Sequence, residues 1–383
     1  MPQGDRKRGP AKPKSQPQRP RQQPSKHANS TTPAPAPAPA PDASPIDLAA
    51  SIPLPLQQLL LDVFKTALLT LKSHLYQRDF DAAFTDADAN LLRAYALRWS
   101  AARGLGYAGI FKAVLGWMRA GESRAAAPPT RAVCIGGGAG AEIVALAAAW
   151  RDLGSGAALE DRVAGVSLED GGAAPEAGLT VAAVDIADWA VVVEGLADTM
   201  VSAGVPAPRS SVYQPPLVED SDGGGRVSIS FRRRDVLELA DGELRDLLLG
   251  EEAESRESAA LLVTLMFTLN ELFSASMAKT TSFLLRMTDV LRAGAVLLVV
   301  DSPGSYSSLK LGKGKEGAAQ ERKYPMKFLL DHTLLSVAEG KWERVLTQDS
   351  RWWRRDASRL RYDVGEGAGL EDMRYQVHVY RRL

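Results

Sequence analysis

Apolar residues follow three regimes along this chain. Up to residue 52 they form no periodic pattern. From Pro53 onward, Leu56, Leu60, Val63, Ala67, Leu71 and Leu75 recur at helical spacing and define one apolar stripe. A second helical stretch, ANLLRAYALRWSAARGLGYAGIFKAV, runs to Val114, so residues 53–120 read as a helical lead-in packed on, or capping, the domain C-terminal to it. From Arg131 the pattern changes again. Short apolar runs at Ala132–Ile135, Leu179–Val184, Val227–Phe231, Leu261–Phe267 and Ala295–Val300 alternate with helical segments: AEIVALAAAW, WAVVVEGLADTM, the Leu-rich 236–249 stretch and SMAKTTSFLLRMTDVLR. That alternation predicts an α/β domain over 131–383, with a parallel sheet covered by helices on both faces. KWERVLTQDSRWWRR and MRYQVHVYRRL predict strands that return antiparallel at the C-terminus. Residues 152–178, 219–226 and 310–323, rich in Gly, Ala, Asp or Lys, predict loops.

Composition separates the first segment from the rest. Lys+Arg and Asp+Glu balance at 46 each, but residues 1–27 hold eight basic residues against Asp5 alone. With its APAPAPAPAP tract, the segment 1–52 reads as a disordered basic tail, since it cannot bury enough apolar area to offset its ordering entropy. RKRGPAKPK suits a nuclear address or a phosphate-contacting arm, and equally a solubilising tail. The single cysteine, Cys134, excludes an intrachain disulfide and a multi-cysteine zinc site, and four scattered histidines give a metal site little support. No apolar run reaches the roughly 20 residues that cross a bilayer, and the N-terminus lacks a signal-peptide core. The expectation is a soluble intracellular protein with no metal and no membrane contact.

The chemistry concentrates where the first strand ends. RAVCIGGGAGAE places Gly136, Gly137, Gly138 and Gly140 between an apolar run and a helix, a loop that suits close approach to a polar or anionic ligand. The glycines fit two frames. Gly136, Gly138 and Ala141 match the dinucleotide form; Cys134, Gly136, Gly138 and Gly140 match the acid-x-G-x-G-x-G form of methyltransferases. Asp185, at the end of the second strand, suits the two hydroxyls of a ribose, and Asp235, after the third, suits an adenine amine. Together with the closing antiparallel strands, they favour S-adenosylmethionine. Either acid alone is equally well read as a cap for the next helix. Cys134 reads as a small core residue. QPPL at 214–217 precedes strand three, which rejects it as a catalytic Pro-Pro motif.

VCIGGGAGAE, LMFTLNELFSASMAKTTSFLL, LLVVDSPGSYS, KYPMKFLLDHTLL, SRWWRR and LEDMRYQVHVYRRL together resemble the fungal large-subunit ribosomal RNA (25S, uridine-N3) methyltransferases. AYALRWSAARGLGYAGIF resembles the N-terminal helical region of that family. The resemblance covers about Leu54 to Leu383. It implies a Rossmann-like class I methyltransferase sheet, S-adenosylmethionine, a ribosomal RNA substrate in the pre-60S particle, and residence in the nucleolus, within the nucleus, with the cytoplasm as the alternative. The resemblance leaves the oligomeric state open, and a monomer is the expectation. The acid that commonly opens the glycine motif is Cys134 here, so a polar contact to the methionine part of the cofactor must come from elsewhere, with Arg98 and Arg103 as candidates.

Methylation of uridine N3 needs an unpaired or flipped base and loss of the N3 proton. The residues after strands four and five face that pocket in this topology. Asn270 suits a uracil edge, Glu271 or Asp301 suits proton acceptance, Ser302 is adjacent, and Tyr306 suits stacking. Glu271 is also explained as a helix-start acid, and Asp301 as a cap of the SPG turn. Lys279, Lys310, Lys313, Lys315, Arg322 and Lys323 suit phosphates. Arg351, Trp352, Trp353 and Arg354 suit RNA stacking, although a strand that alternates Trp toward the core explains them more simply. A silent ribosome-assembly factor, a methyltransferase of protein or small molecules and, more distantly, a nicotinamide oxidoreductase remain open at this point.

Overall fold

The computed structural model describes residues 44–69, 89–120, 128–163, 178–218, 227–250, 259–304, 306–311, 320–365 and 369–383. A seven-stranded sheet organises them. Its strands are β1 (Thr130–Ile135), β2 (Leu179–Asp185), β3 (Val227–Arg233), β4 (Ala260–Met266), β5 (Val296–Asp301), β8 (Trp342–Trp353) and β9 (Met373–Arg382). They lie in the order β3-β2-β1-β4-β5-β9-β8. The first five pair in parallel, and β9 runs antiparallel to both β5 and β8. Burial explains why these runs differ in sequence. ALLVTLM and VLLVVD occupy the middle of the sheet and are apolar at nearly every position because helices cover both faces. VSISFRR forms the edge strand and alternates between half-buried and exposed.

Two cores lie on the two faces. Ala132, Cys134, Val181, Leu262 and Leu298 face one; Val133, Ile135, Val263 and Leu297 face the other. The first core receives α1 (Leu54–Leu68), α2 (Ala89–Met118), α3 (Ala141–Val163) and α4 (Ala190–Met200); the second receives α5 (Asp241–Leu249), α6 (Leu269–Ala275), α7 (Met277–Val290) and α8 (Met326–Asp331). The lead-in is thus a layer of the domain. α2 is buried from Leu92 to Leu115 on most of its circumference, which is why it carries no single apolar stripe. Its glycines permit this: a Cβ on Gly104 would meet the Phe64 ring, and one on Gly109 the Ala50 carbonyl.

Several boundaries move from their sequence expectation. Ile46, Leu48 and Ile52 are buried in the first core, so ordered packing begins before Pro53; residues 1–43 of the expected tail lie outside the described residues. The region read as a loop from residue 152 begins as helix, since α3 runs to Val163. Part of the segment expected as a loop at 310–323 belongs to an antiparallel pair, β6 (Tyr306–Leu311) with β7 (Gln320–Pro325). Those runs are polar and short, and carry no apolar alternation to announce a strand. After α8 the chain makes a π-helical turn at His332–Val337. Among the described residues no helix is long and apolar enough to cross a membrane, and no cluster of His, Cys, Asp and Glu could hold a metal ion.

Candidate active site

Strand order reverses between β1 and β4, and their carboxyl ends open the crevice where parallel sheets bind ligands. β1 gives way to α3 through the glycine loop. Gly136 (φ 77°) and Gly140 (φ 84°) occupy the left-handed region that side chains disfavour. The bare loop serves the protein's own packing as well as any ligand. A Cβ on Gly136 would collide with Thr268, one on Gly138 with the Trp189 ring, and one on Gly140 with Leu196. Gly137 donates its N–H to the Cys134 carbonyl at 3.3 Å. The loop is clamped by the segments that come after β2 and β4.

Asp185 ends β2. Its carboxylate accepts the Gly138 N–H and the Ala187 N–H, each at 3.2 Å. Burial raises its pKa, against those bonds and a further one from Trp189. Asp235, after β3, accepts the Leu237 N–H at 2.9 Å and so closes a turn. Both acids sit on the carboxyl edge where the sequence placed them, and both have a local structural task there.

The loops after β4 and β5 are joined by Asp301. It is buried, accepts the Asn270 N–H at 3.0 Å through one oxygen and accepts the Ser302 N–H at 2.8 Å through the other. This engagement makes it the pin between the two loops, so it is poorly placed to serve as the proton acceptor expected of it. Gln376 from β9 donates to the Ser302 carbonyl at 2.8 Å and extends the same network to buried His378 and Thr347. Glu271 is exposed on the first turn of α6. Asn270 differs: its side-chain Oδ1 is buried and has no hydrogen-bond partner among the described residues.

The fourth wall comes from α2. Ser100 donates to the Ala139 carbonyl of the glycine loop at 2.6 Å. Tyr95 packs on Trp189 with ring centroids 5.8 Å apart, and Tyr107 stacks on Phe267 at 6.4 Å. Between them, the Arg103 guanidinium donates to the Tyr95 hydroxyl at 3.2 Å and lies 5.2 Å from the Phe267 centroid. Phe267 itself has φ 57°, an uncommon conformation for a bulky residue and a mark of a constrained site. Of the two candidate arginines, Arg103 is in the site. Arg98 is paired with Glu371 at 2.5 Å and stacked over Trp99.

Glu142, in the first turn of α3, is the residue that sequence reasoning passed over. It is buried, and its Oε1 has no partner among the described residues. Burial, the largest cause, pushes its pKa up to about 8; a hydrogen bond from its own backbone N–H and the charge of Arg103 work to lower it, and Asp185 to raise it. Its position directly after the glycines was the available signal. Tyr95, Tyr107, Trp189 and Phe267 had none, because only the folded chain brings them together. Cys134 is fully buried, and burial pushes its thiol far up, as befits a core residue.

The basic candidates scatter. Lys279 pairs with Glu238 on the surface. Lys313 and Lys315 lie outside the described residues, as do the side chains of Tyr306, Lys310, Arg322 and Lys323. The two tryptophans of β8 point in opposite directions. Trp353 packs on the first core, whereas Trp352 is 48% exposed with the Arg354 guanidinium 3.9 Å and that of Arg374 5.8 Å from its ring centroid. Asp301 of β5 is level with Gln376 of β9, so Arg374 and its partner Trp352 lie beyond the carboxyl end of β5, on the site's edge of the sheet.

Comparison with known proteins finds relatives of this chain. A family model described as "Putative SAM-dependent methyltransferase" matches residues 55–381. The 25S rRNA (uridine(2843)-N(3))-methyltransferase of Saccharomyces cerevisiae is 30% identical over 317 residues, covering 81% of this chain and 75% of the yeast protein. Among solved structures, the CcbJ methyltransferase of Streptomyces caelestis is similar at 15% identity, covering 83% of this chain and 98% of its own, with a TM-score of 0.32. The antibiotic-resistance methyltransferase Kmr is similar at 15% identity, 71% and 93% coverage and a TM-score of 0.29.

Proposed function

The chain belongs to the family of S-adenosylmethionine-dependent methyltransferases, and from that membership we propose that it methylates N3 of a uridine in large-subunit ribosomal RNA. The observation that carries this reading is the 30% identity to the yeast 25S rRNA enzyme across 75% of that protein's length. The residues present fit the cofactor. The glycine loop lies at the carboxyl edge beside Asp185, and Glu142, in the first turn of the helix after that loop, has a buried oxygen with no partner among the described residues. When bound, the cofactor supplies a methyl group made electrophilic by the sulfonium it sits on. Asp185 would hold the ribose and Asp235 the adenine side.

The protein's own part is to present N3. That atom lies on the Watson–Crick edge, so the base must be unpaired or flipped before it enters the crevice. Asn270 supports this reading because it follows β4 at the carboxyl edge, and its amide can hold a uracil by donating to a ring carbonyl, which leaves N3 and its proton free for transfer. Glu271, one residue on and exposed, takes the proton-acceptor role, since both Asp301 oxygens are engaged by the backbone. Trp352, between Arg354 and Arg374, offers a stacking surface for an adjacent unpaired nucleotide. The basic tail fits action on pre-60S particles in the nucleolus, with the protein working as a monomer in ribosome biogenesis. The test is nucleoside analysis of large-subunit rRNA from cells lacking the protein. Loss of one N3-methyluridine, restored by the wild type but not by Asp185→Ala, is expected; an unchanged modification profile would overturn the assignment.

A further inference from the structure

The acids at the carboxyl edge divide by what their oxygens touch. Asp185, Asp235 and Asp301 each accept backbone N–H groups. Glu142 also meets its own backbone N–H, yet it has the burial of a core residue and its Oε1 has no partner among the described residues. Leaving a carboxylate oxygen unpaired inside a protein is costly, and such a group persists where a ligand uses it. Arg103 lies beside it, close enough to act on its ionisation, and presents a guanidinium from α2 at the same edge.

The amino-acid end of S-adenosylmethionine is a zwitterion, with an ammonium and a carboxylate on one carbon. We propose that Glu142 and Arg103 form its clamp, Glu142 receiving the ammonium and Arg103 the carboxylate, and that Glu142 replaces the acid the glycine motif lacks at Cys134. The replacement comes from the helix after the loop instead of the strand before it. The two origins are close in space, since the charge of Glu142 acts directly on the Cys134 thiol. This inference rests on the cofactor assignment above. Burial pushes the Glu142 pKa to about 8 even with Arg103 nearby, so before the ammonium arrives the group is mostly protonated at neutral pH, and it becomes anionic as the ammonium binds.

Calorimetric binding of two ligands tests it without any measurement of turnover. S-adenosylhomocysteine carries the zwitterion, and 5′-methylthioadenosine keeps the adenosine and lacks the amino acid. Glu142→Gln is expected to weaken S-adenosylhomocysteine at least tenfold and to leave methylthioadenosine within about twofold, with Arg103→Met behaving alike. Retained methylthioadenosine binding certifies that each variant is folded. Equal loss of both ligands in folded Glu142→Gln, or no loss of either, would overturn the clamp. Should Glu142→Gln fail to fold, Arg103→Met carries the same comparison. A wild type that binds neither ligand would instead overturn the cofactor assignment.

Discussion

Asp301 and Glu142 are two buried acids on one sheet edge, and they differ in one respect. Asp301 spends its oxygens on the N–H groups of Asn270 and Ser302 and so binds the loops after β4 and β5 into one piece. Glu142 has an oxygen with no protein partner among the described residues, beside a guanidinium, in the wall of the crevice. A satisfied buried acid is part of the scaffold, because the fold already supplies its counterparts. An unsatisfied one lowers the stability of the protein alone and gains its counterpart only from a ligand.

The sharpest way to break the comparison is to remove each acid. Asp301→Ala leaves two N–H groups unpaired near the core, and the protein should lose about 3 kcal/mol or more in urea unfolding. Both adenosine ligands should weaken together, because the loops separate. Glu142→Gln should do the opposite to stability. A group with its folded pKa raised to about 8 contributes stability fully below the unfolded carboxylate pKa and loses it as pH climbs through 8. The ligand-free wild type therefore weakens from pH 5 to pH 8, in a setting where Arg103, Tyr107, Cys134 and Asp185 surround the titrating group. The glutamine variant should be more stable than wild type by on the order of 2 kcal/mol at pH 8, read from denaturant midpoints.

His378 provides the contrasting slope. It is buried between Thr347 and Gln376, and burial lowers its pKa to about 4. The folded state then binds fewer protons than the unfolded one between pH 6.5 and 4. Stability should fall as pH drops through that window by on the order of 2 kcal/mol, and His378→Gln should flatten that limb while leaving the alkaline limb of Glu142 intact. The smallest structural effect belongs to Trp352→Ala. With the ring 48% exposed, stability should change by less than about 0.5 kcal/mol, while affinity for unpaired RNA in a filter or fluorescence assay should fall severalfold.

Legibility in the sequence tracks how local each signal is. The alternation of apolar runs with helices announced the parallel sheet because β4 and β5, covered on both faces, must be apolar throughout. The glycines and Asp185 were legible because a turn and a strand end are local events. The β6–β7 pair was not, since YSSLKL and QERKYP carry no apolar alternation. The roles of Asp301 and Glu142 were legible only in part: the cap on the SPG turn was local, the pin to Asn270 was not. Asp301 ends β5 and Glu142 opens the helix after the glycines, and only the long-range bond to Asn270 in one case, and an unpartnered oxygen in the other, separate scaffold from site. Arg103 and Arg98 were equivalent until α2 folded across the glycine loop and turned one toward Phe267 and the other toward Glu371.

The claim that Glu142 is held in reserve for the cofactor has a direct readout in protons. Calorimetry of S-adenosylhomocysteine binding at pH 7, repeated in buffers of different ionisation enthalpy, counts the protons exchanged. A group that is mostly protonated before binding and ionised after it should release close to one proton in the wild type and none in Glu142→Gln. The same proton count in both proteins would contradict the account.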